Sequence, residues 1–388
     1  MGLKPASGKG RAIFEEVSTG QKPVAAPGAI DRGRADGRGA IRIWLMILFA
    51  MVAMIIAVGG MTRLTDSGLS ITEWAPISGA LPPLSEADWT SEFEAYKLTP
   101  EYQLQNAGMS LAEFQYIYWW EWGHRQLART IGLVWALGFF TFLAMRKIPV
   151  GWTPPLFSIG VLIGVQGAIG WWMVHSGLQG TMLDVASYRL ATHLGLAFII
   201  LGILAWFTFT MGRKQTDLMQ ARRSGEGRLF SVSTGLMHLA FVQILLGALV
   251  AGIDAGRAFP TWPLMGSGIL PPDPFTLTPL WRNFFEDAGL VQFIHRTVGY
   301  LLLIMGIVTW NRARKSPNTA TRFAFNATLA MLVLQIVLGI VTVLYSAPVH
   351  IAIVHQIGAV ILWVLILRGR FLARYPLPQS VRGTLAKG

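Results

Sequence analysis

The sequence predicts an all-α polytopic membrane protein, and two observations support this fold class. Of the 388 residues, 53% are hydrophobic and only 13% are charged, whereas soluble domains carry about 25% charged residues. A chain this apolar buries its surface against a lipid bilayer. Eight stretches are also apolar over nearly all of the roughly 20 residues that a helix needs to cross a bilayer. They are residues 41–60, 127–145, 155–174, 190–211, 229–251, 293–310, 323–345 and 349–367.

The composition also excludes several kinds of site. Cysteine is absent, which excludes disulfides, thiolate metal sites and cysteine nucleophiles. The net charge of +12 could indicate a nucleic-acid ligand. However, the charged residues lie in short segments between apolar stretches, which is typical of membrane topology. We therefore expect no nucleic-acid partner.

The distribution of basic residues predicts the orientation. Most of the 32 Lys and Arg residues lie on the side of the membrane that holds the N-terminus. The positive-inside rule makes this side cytoplasmic. Both termini are then cytoplasmic, and the long loops 61–123 and 252–291 lie outside.

The two halves of the chain resemble each other. Asp66 precedes Trp74 by 8 residues after the first apolar stretch, and Asp254 precedes Trp262 by 8 residues after the fifth. The further matches are Glu121-Trp122-Gly123-His124-Arg125 with Gln292-Phe293-Ile294-His295-Arg296, Gln166 and Gly170 with Gln335 and Gly339, and His193 with His355. Four helices separate the copies, so both have the same orientation. We predict two tandem four-helix bundles, related by a pseudo-two-fold axis along the membrane normal.

One alignment of the repeat stays open, because Arg129-Thr130-Ile131-Gly132 also resembles Arg296-Thr297-Val298-Gly299. The His-Arg alignment is preferred because it also matches the flanking residues. The predicted domains are a disordered cytoplasmic tail (1–40), an N-terminal bundle (41–212) with the outer loop 61–123, a cytoplasmic linker (213–228), a C-terminal bundle (229–370) and a cytoplasmic tail (371–388).

Four histidines occupy matching positions, namely His124, His193, His295 and His355. Ionisable residues inside membrane helices are costly and usually functional. We expect all four in the first turns of helices that run inward from the outer face. Two imidazoles that face each other in an apolar bundle suit six-coordinate haem iron. The alternative is that each histidine is a hydrogen-bonded packing residue.

Further residues fit a haem site. Glycines could let the flat ring approach the backbone, and the candidates are Gly170, Gly195, Gly339 and Gly358. Cationic side chains at the outer rim could neutralise the propionates, and Arg125, Arg189 and Arg296 are candidates for this contact. His238 lies in mid-helix and is expected to be a packing residue. His175 and His350 lie at outer helix ends, where an interfacial role is expected and substrate contact is the alternative.

One difference between the halves points to chemistry. Glu121 lies three residues before His124, on the same face of the helix, and its counterpart is Gln292. A carboxylic acid in a partly apolar site can take up and release protons. One half would then carry out a reaction while the other holds a permanent cofactor. The alternative is that Glu121 only caps its helix.

The outer loop 61–123 is rich in tryptophan, tyrosine and acidic residues. Segment 85–97 opens like a capped short helix, and 110–119 is a second candidate helix. These segments could cover a substrate site, dock a partner or anchor at the interface. Asp66 and Asp254 are expected to form turns.

These residues resemble the haem A synthase family. The matching elements are Gly59-Gly60-Met61-Thr62-Arg63-Leu64-Thr65 with Asp66-Ser67-Gly68-Leu69-Ser70, Glu121-x-x-His124-Arg125, Arg189-x-x-x-His193, His295-Arg296 and His355-Gln356. The resemblance covers about residues 41–370. It is to the longer-loop subgroup of mitochondria and related bacteria, which lacks the cysteine pair of another subgroup.

The resemblance implies that the C8 methyl group of haem O is oxidised to a formyl group, through two successive hydroxylations. Glu121 would be the catalytic acid, His124 and His193 would hold the substrate haem, and His295 and His355 would ligate a resident haem b. It also implies a bacterial inner membrane, equivalent to the mitochondrial one. The implied partners are haem O synthase, an electron donor of unknown identity and the cytochrome oxidase assembly machinery, and homo-oligomerisation is left open.

Two other functions remain open at this point. One is a di-haem b cytochrome that transfers electrons, of the quinol oxidoreductase type. It would contain two permanent b haems and would release no modified haem. The other is a non-catalytic haem-handling protein, which would tolerate the substitution Glu121→Gln.

Overall fold

The computed structural model describes residues 37–379, except residues 179 and 181. Most of the two predicted tails, residues 1–36 and 380–388, lies outside the described residues. The described helices are α1 (Arg38–Leu64), α2 (Glu86–Lys97), α3 (Pro100–Leu104), α4 (Leu111–Ala144), α5 (Thr153–Gly177), α6 (Ser187–Met211), α7 (Gln215–Arg223), α8 (Gly227–Gly252), α9 (Ala255–Ala258), α10 (Asn283–Glu286), α11 (Ala288–Ala313), α12 (Thr319–Leu344) and α13 (Val349–Arg374).

Eight helices in the described part of the chain are long and apolar enough to cross a membrane: α1, α4, α5, α6, α8, α11, α12 and α13. The prediction of a multi-pass, all-α membrane protein is confirmed. Helix α1 begins at Arg38, inside the predicted N-terminal tail, and α13 continues to Arg374, into the predicted C-terminal tail. Segment 213–228, predicted as a linker, contains the short helix α7.

The helices of each half pack in a ring. Helix α1 contacts α4 and α6, and α5 contacts the same two helices. In the second half, α8 contacts α11 and α13, and α12 contacts the same two. Contacts of α6 with α8 and α13, and of α1 with α13, join the halves. The predicted pseudo-two-fold axis itself stays a prediction.

The largest apolar core lies where the halves meet. It includes Leu48 of α1, Phe198 and Leu201 of α6, and Trp363 and Ile366 of α13, all at most 6% exposed. The indole of Trp363 donates a hydrogen bond to the carbonyl oxygen of Phe198 at 3.1 Å. This bond satisfies the polar atom of a large side chain that is otherwise packed among apolar groups.

Helix α4 begins much earlier than predicted. Ser110 and Glu113 form a capping box, in which each side chain accepts a hydrogen bond from the other residue's backbone N–H. The candidate helix 110–119 is therefore not separate, because it continues without a break into the span predicted at 127–145. The expectation that His124 lies in a first turn is wrong, since thirteen helical residues, 111–123, precede it. The capping role considered for Glu121 is excluded for the same reason.

The other three histidines lie one turn deeper than expected. His193 follows the start of α6 at Ser187, His295 follows the start of α11 at Ala288, and His355 follows the start of α13 at Val349. Helices α6 and α11 begin a few residues before the apolar stretches predicted at 190–211 and 293–310. Polar or small residues at these two ends lowered the apparent hydrophobicity without stopping the helix. Helix α13 begins at Val349, as predicted, and His355 lies in its second turn.

The outer loop carries a small folded module. Helix α2 begins at the capping box of Ser85 and Asp88, as predicted. Helices α2 and α3 pack on the N-terminal part of α4 around a second apolar cluster, whose buried members are Ile71, Phe93, Tyr96, Phe114, Ile117 and Tyr118. We call α2, α3 and residues 111–123 of α4 the outer module, after the side of the membrane on which the charge distribution predicts it.

The matching aspartates do form turns. Asp66 and Asp254 have φ angles of 49° and 51°, in the left-handed region, which aspartate tolerates better than most residues. Both also form ion pairs with Arg63.

Candidate functional site

The structure brings the four matched histidines together in two pairs. The imidazoles of His124 and His193 lie within electrostatic range of each other. His295 and His355 form the corresponding pair in the second half. Each pair joins a residue of the second spanning helix of its half to a residue of the fourth. The pairing is the one that the repeat predicted.

A glycine of a neighbouring helix lies against each histidine ring. A Cβ atom on Gly59 would lie 2.8 Å from Cε1 of His124, and one on Gly170 would lie 2.9 Å from Cε1 of His193. In the second half, a Cβ atom on Gly247 would lie 3.2 Å from Cε1 of His295, and one on Gly339 would lie 3.1 Å from Cε1 of His355. Any side chain at these four positions would push against an imidazole.

The glycines predicted to admit a haem ring divide into two groups. Gly170 and Gly339 lie against histidines, as described above. Gly195 instead faces Leu245, and Gly358 faces the side chain of Gln335. Two glycines that sequence reasoning missed, Gly59 and Gly247, complete the set that contacts histidines. Their common position in the first helix of each half was the signal that could have found them.

Three of the histidines also contact a glutamine. Gln166 donates a hydrogen bond from Nε2 to the carbonyl oxygen of His193 at 2.9 Å. Gln243 donates to the carbonyl oxygen of His295 at 3.0 Å, and Gln335 to that of His355 at 2.7 Å. In all three cases the amide nitrogen lies 3.2 Å from Nδ1 of the same imidazole. Gln243 was not among the predicted site residues.

Glu121 is buried, with 3% of its surface exposed, and both carboxylate oxygens accept hydrogen bonds. Oε1 accepts from Arg125 at 2.7 Å and 3.0 Å. Oε2 accepts from the Ser70 hydroxyl and from the Ile71 backbone N–H, both at 2.8 Å. The carboxylate therefore joins α4 to the segment that follows α1.

Gln292 holds the same place in the second half with different chemistry. Its Oε1 accepts a hydrogen bond from Arg296 at 2.8 Å, and its Nε2 donates to the carbonyl oxygen of Ala255 at 2.7 Å. The Nε2 amide group of Gln292 donates a hydrogen bond, whereas both carboxylate oxygens of Glu121 accept hydrogen bonds. Both residues therefore hold a loop to a helix, but only the first half has an acidic group there.

The three candidate arginines differ in what they contact. Arg125 also donates to the carbonyl oxygens of Ile71 and Glu73. Arg296 donates to three loop carbonyl oxygens, those of Phe259, Thr261 and Leu264. Both guanidinium groups thus clamp the loop that follows the first helix of their half.

Arg189 differs from the other two arginines. It donates to the carbonyl oxygen of Trp172 at 2.7 Å and lies over the Trp172 ring. Its Nε is buried and has no hydrogen-bond partner. Arg189 is thus the candidate with a donor still to satisfy, and it lies one turn before His193 on α6.

The residues present fit two haem groups. Each pair supplies two imidazoles, which are common axial ligands of haem iron. The glycines beside the rings leave no side chain on that face of the imidazole. The buried Nδ1 of His124 has no hydrogen-bond partner. The neutral imidazole is the form in which histidine binds a metal.

Comparison with known proteins agrees with this geometry. The sequence model of the cytochrome oxidase assembly protein family, COX15-CtaA, matches residues 42–367. The chain belongs to this family. The match begins in α1 and ends in α13, so it includes both histidine pairs.

Full-length relatives are also similar to the chain. The "Heme A synthase" of Ruegeria pomeroyi is 65% identical over 96% of this chain and 99% of the relative. That of Dinoroseobacter shibae is 65% identical over 97% of this chain and 100% of the relative. That of Paracoccus denitrificans is 58% identical over 97% of this chain and 99% of the relative. The resemblance predicted from the motifs is confirmed.

Proposed function

We propose that this protein is a haem A synthase, a membrane oxidoreductase that oxidises the C8 methyl group of haem O to a formyl group. The observation that carries the proposal is the difference between Glu121 and Gln292, which hold equivalent places beside the two histidine pairs. A protein with two equal electron-transfer sites has no need of this difference. The names of relatives with up to 65% identity over nearly the whole chain point to the same activity.

The proposal assigns a role to each histidine pair. His124 and His193 hold haem O as the substrate, in the N-terminal bundle of residues 41–212. His295 and His355 hold a resident haem b, in the C-terminal bundle of residues 229–370. The resident haem, when bound, supplies electron transfer between the external donor and the substrate site. Helices α6 and α13, which carry His193 and His355, pack directly on one another, and this favours such transfer.

Glu121 is proposed as the catalytic acid. Arg125 donates hydrogen bonds to Oε1, while Ser70 and Ile71 donate to Oε2. These hydrogen bonds hold both oxygens of the carboxylate in place. Glu121 lies three residues before His124, on the same face of α4. The carboxylate is thereby held in position to give up or accept a proton beside the substrate site.

The remaining polar groups position the substrate. Arg189, which has a donor without a partner, is proposed to bind a propionate beside His193. Arg125 and Arg296 are also proposed to face propionates, in addition to the loop carbonyl oxygens that they already bind. An inner membrane location is proposed from the family to which the chain belongs. The charge distribution favours cytoplasmic termini, with the outer module outside. Haem O synthase is the proposed supplier of substrate, and cytochrome oxidase assembly the proposed destination of the product.

The test is to express the chain in a host that makes haem O but no haem A, and to supply a compatible electron donor. Membrane haems are extracted, separated by chromatography and identified by mass. The expected result is that the C8 alcohol and formyl products appear, and that Glu121→Gln abolishes them. The matched control is Glu94→Gln, which changes an exposed glutamate of the outer module.

A different outcome would favour the electron-transfer function. If the well-expressed protein contains two b-type haems and leaves haem O unmodified, the proposed reaction is wrong. Retention of product formation in Glu121→Gln would instead show that the carboxylate is not the acid.

A further inference from the structure

A short sequence pattern recurs beside the histidines. In three helices, a glutamine precedes by four residues the glycine that lies against a histidine. The pattern occurs in α5 (Gln166 and Gly170), α8 (Gln243 and Gly247) and α12 (Gln335 and Gly339). Residues four apart lie on the same face of a helix. One face therefore presents the glycine to the ring and the amide to the same histidine.

The amide restrains its histidine in two ways. Nε2 of Gln166 donates to the carbonyl oxygen of His193 and lies 3.2 Å and 3.4 Å from the two ring nitrogens. Nε2 of Gln243 makes the same contacts to His295, at 3.2 Å and 3.3 Å from the ring nitrogens. The amide thus fixes the backbone of the histidine and packs on its ring. Such outer contacts orient a metal ligand before the metal binds.

His124 is the exception. Its glycine is Gly59, and the residue four positions before it is Ile55. Isoleucine offers no hydrogen bond, and Ile55 packs instead against the apolar core between the halves. The buried Nδ1 of His124 has no partner, whereas Nδ1 of the other three histidines lies beside an amide. His124 is therefore the least restrained of the four candidate ligands.

We propose that the absence of a glutamine at position 55 makes His124 the exchangeable haem ligand, so that the first site releases its haem while the second retains it. The inference rests on the proposed function for the identity of the two haems. Its physical basis is a difference in restraint. A ligand that must be ordered on binding holds a metal more weakly than one already fixed.

This difference matches what the two sites must do. A substrate site has to accept haem O and deliver haem A, so a weak ligand on one side shortens the lifetime of the complex. A cofactor site benefits from two restrained ligands. Ile55 and Gln243, at equivalent positions in the two halves, are thus positioning residues that set opposite lifetimes.

The test measures haem release from the purified full-length protein, reconstituted with haemin. Excess apomyoglobin captures released haem, and its absorbance gives the rate. The wild type is expected to release haem in a fast and a slow phase. Ile55→Gln should slow the fast phase, and Gln243→Leu should accelerate the slow phase. Each change is expected to be roughly 10- to 100-fold, the usual effect of removing an outer-shell partner of a metal ligand.

The control is Met54→Gln, which adds an amide one residue away on the lipid-facing surface of the same helix. It should leave both phases unchanged. The low-spin ferric spectrum of each site provides a second readout, because it reports the orientation of the imidazoles and is insensitive to a general loss of stability. We expect Ile55→Gln to alter only the spectrum of the site that contains His124.

The inference is overturned if wild-type haem leaves both sites at one rate, or if Ile55→Gln leaves the fast phase unchanged. If Ile55→Gln does not fold, Gln243→Leu still decides, since an unchanged slow phase contradicts the proposal. Haem release is measured without enzyme turnover, so the two proposals can fail separately. If the variants change the release rates as expected but no methyl oxidation occurs, only the proposed function is overturned. If haem A forms but the variants leave the release rates unchanged, only this inference is overturned.

Discussion

Arg63 donates a hydrogen bond from Nη2 to Oδ2 of Asp254 at 2.9 Å, and this ion pair joins the end of α1 to the turn that follows α8. The same guanidinium binds Asp66 at 2.8 Å and Asp184 at 3.4 Å. One cation therefore connects both halves of the chain and the segment before α6. Burial raises the pKa of Asp184, and Arg63 opposes this rise.

Substituting Arg63 by Gln should loosen this connection. Three carboxylates would then lie close together without their cation, and the pKa of Asp184 would rise further. The carboxylates are more than a third exposed, so solvent screening limits the expected loss to about 1 kcal/mol. Thermal unfolding in detergent should show a decrease of about 2 °C in the melting temperature. The control Arg257→Gln removes a longer, exposed contact to Asp254, and an equal decrease there would contradict the central role of Arg63.

Replacing Arg125 by Lys should affect the first half alone. Lysine cannot reproduce the planar group that binds Glu121 and two loop carbonyl oxygens at once. We expect product formation to fall by more than about tenfold, while the resident haem remains bound. Arg296→Lys is the matched variant and should lower the haem content of the second half. Quantifying products and haem per chain separates the two effects, and identical behaviour of both variants would contradict the prediction.

An alanine at position 170 should displace His193. Its Cβ would lie 2.9 Å from Cε1 of the ring, whereas a Cβ at Gly164 of the same helix has no neighbour within 4 Å. Gly170→Ala is expected to change the absorbance of the first haem site and to reduce product formation by about tenfold. Gly164→Ala should resemble the wild type or be slightly more stable, since alanine favours helices. If both variants lose activity equally, the close contact at Gly170 does not explain the loss.

The outer module should lose stability as the pH rises. Burial raises the pKa of Glu101 to about 8, and the nearest hydrogen-bond donor is the hydroxyl of Tyr96 at 3.3 Å. The folded module therefore favours the protonated carboxyl, while the unfolded chain ionises near pH 4.5. Its contribution to stability is complete below that pH and is lost as the pH rises to about 8, at up to about 1.4 kcal/mol per pH unit.

The measurement is the unfolding temperature of the wild type and of Glu101→Gln between pH 5 and pH 9. The wild type should become progressively less stable relative to the variant, until the difference levels off above the folded-state pKa. Glu94→Gln, at an exposed position of α2, should follow the wild type throughout. A constant difference between wild type and Glu101→Gln would show that Glu101 does not titrate in this range.

Hydrophobicity and the internal repeat were sufficient to predict the eight spans and the pairing of histidines. Local signals also located the capped helix α2 and the turns at Asp66 and Asp254. The start of α4 was missed because the polar and aromatic residues 111–126 lower the hydrophobicity of a helix that remains continuous. The ion pairs of Arg63 and the contacts of Gln243 depend on which distant segments meet. Those contacts follow from packing between helices, which a pattern along one chain does not specify.

Helix α4 has 34 residues and so measures about 50 Å, whereas the hydrocarbon core of a bilayer is about 30 Å thick. The helix thus extends well beyond the hydrocarbon region, and the apolar cluster around Phe114 and Tyr118 packs α2 and α3 against it. His124 lies on the same helix, which continues without a break between the cluster and this histidine. A protein that docks on the module and tilts it would therefore move His124 directly. Docking outside the bilayer could in this way change the position of one histidine of the first pair.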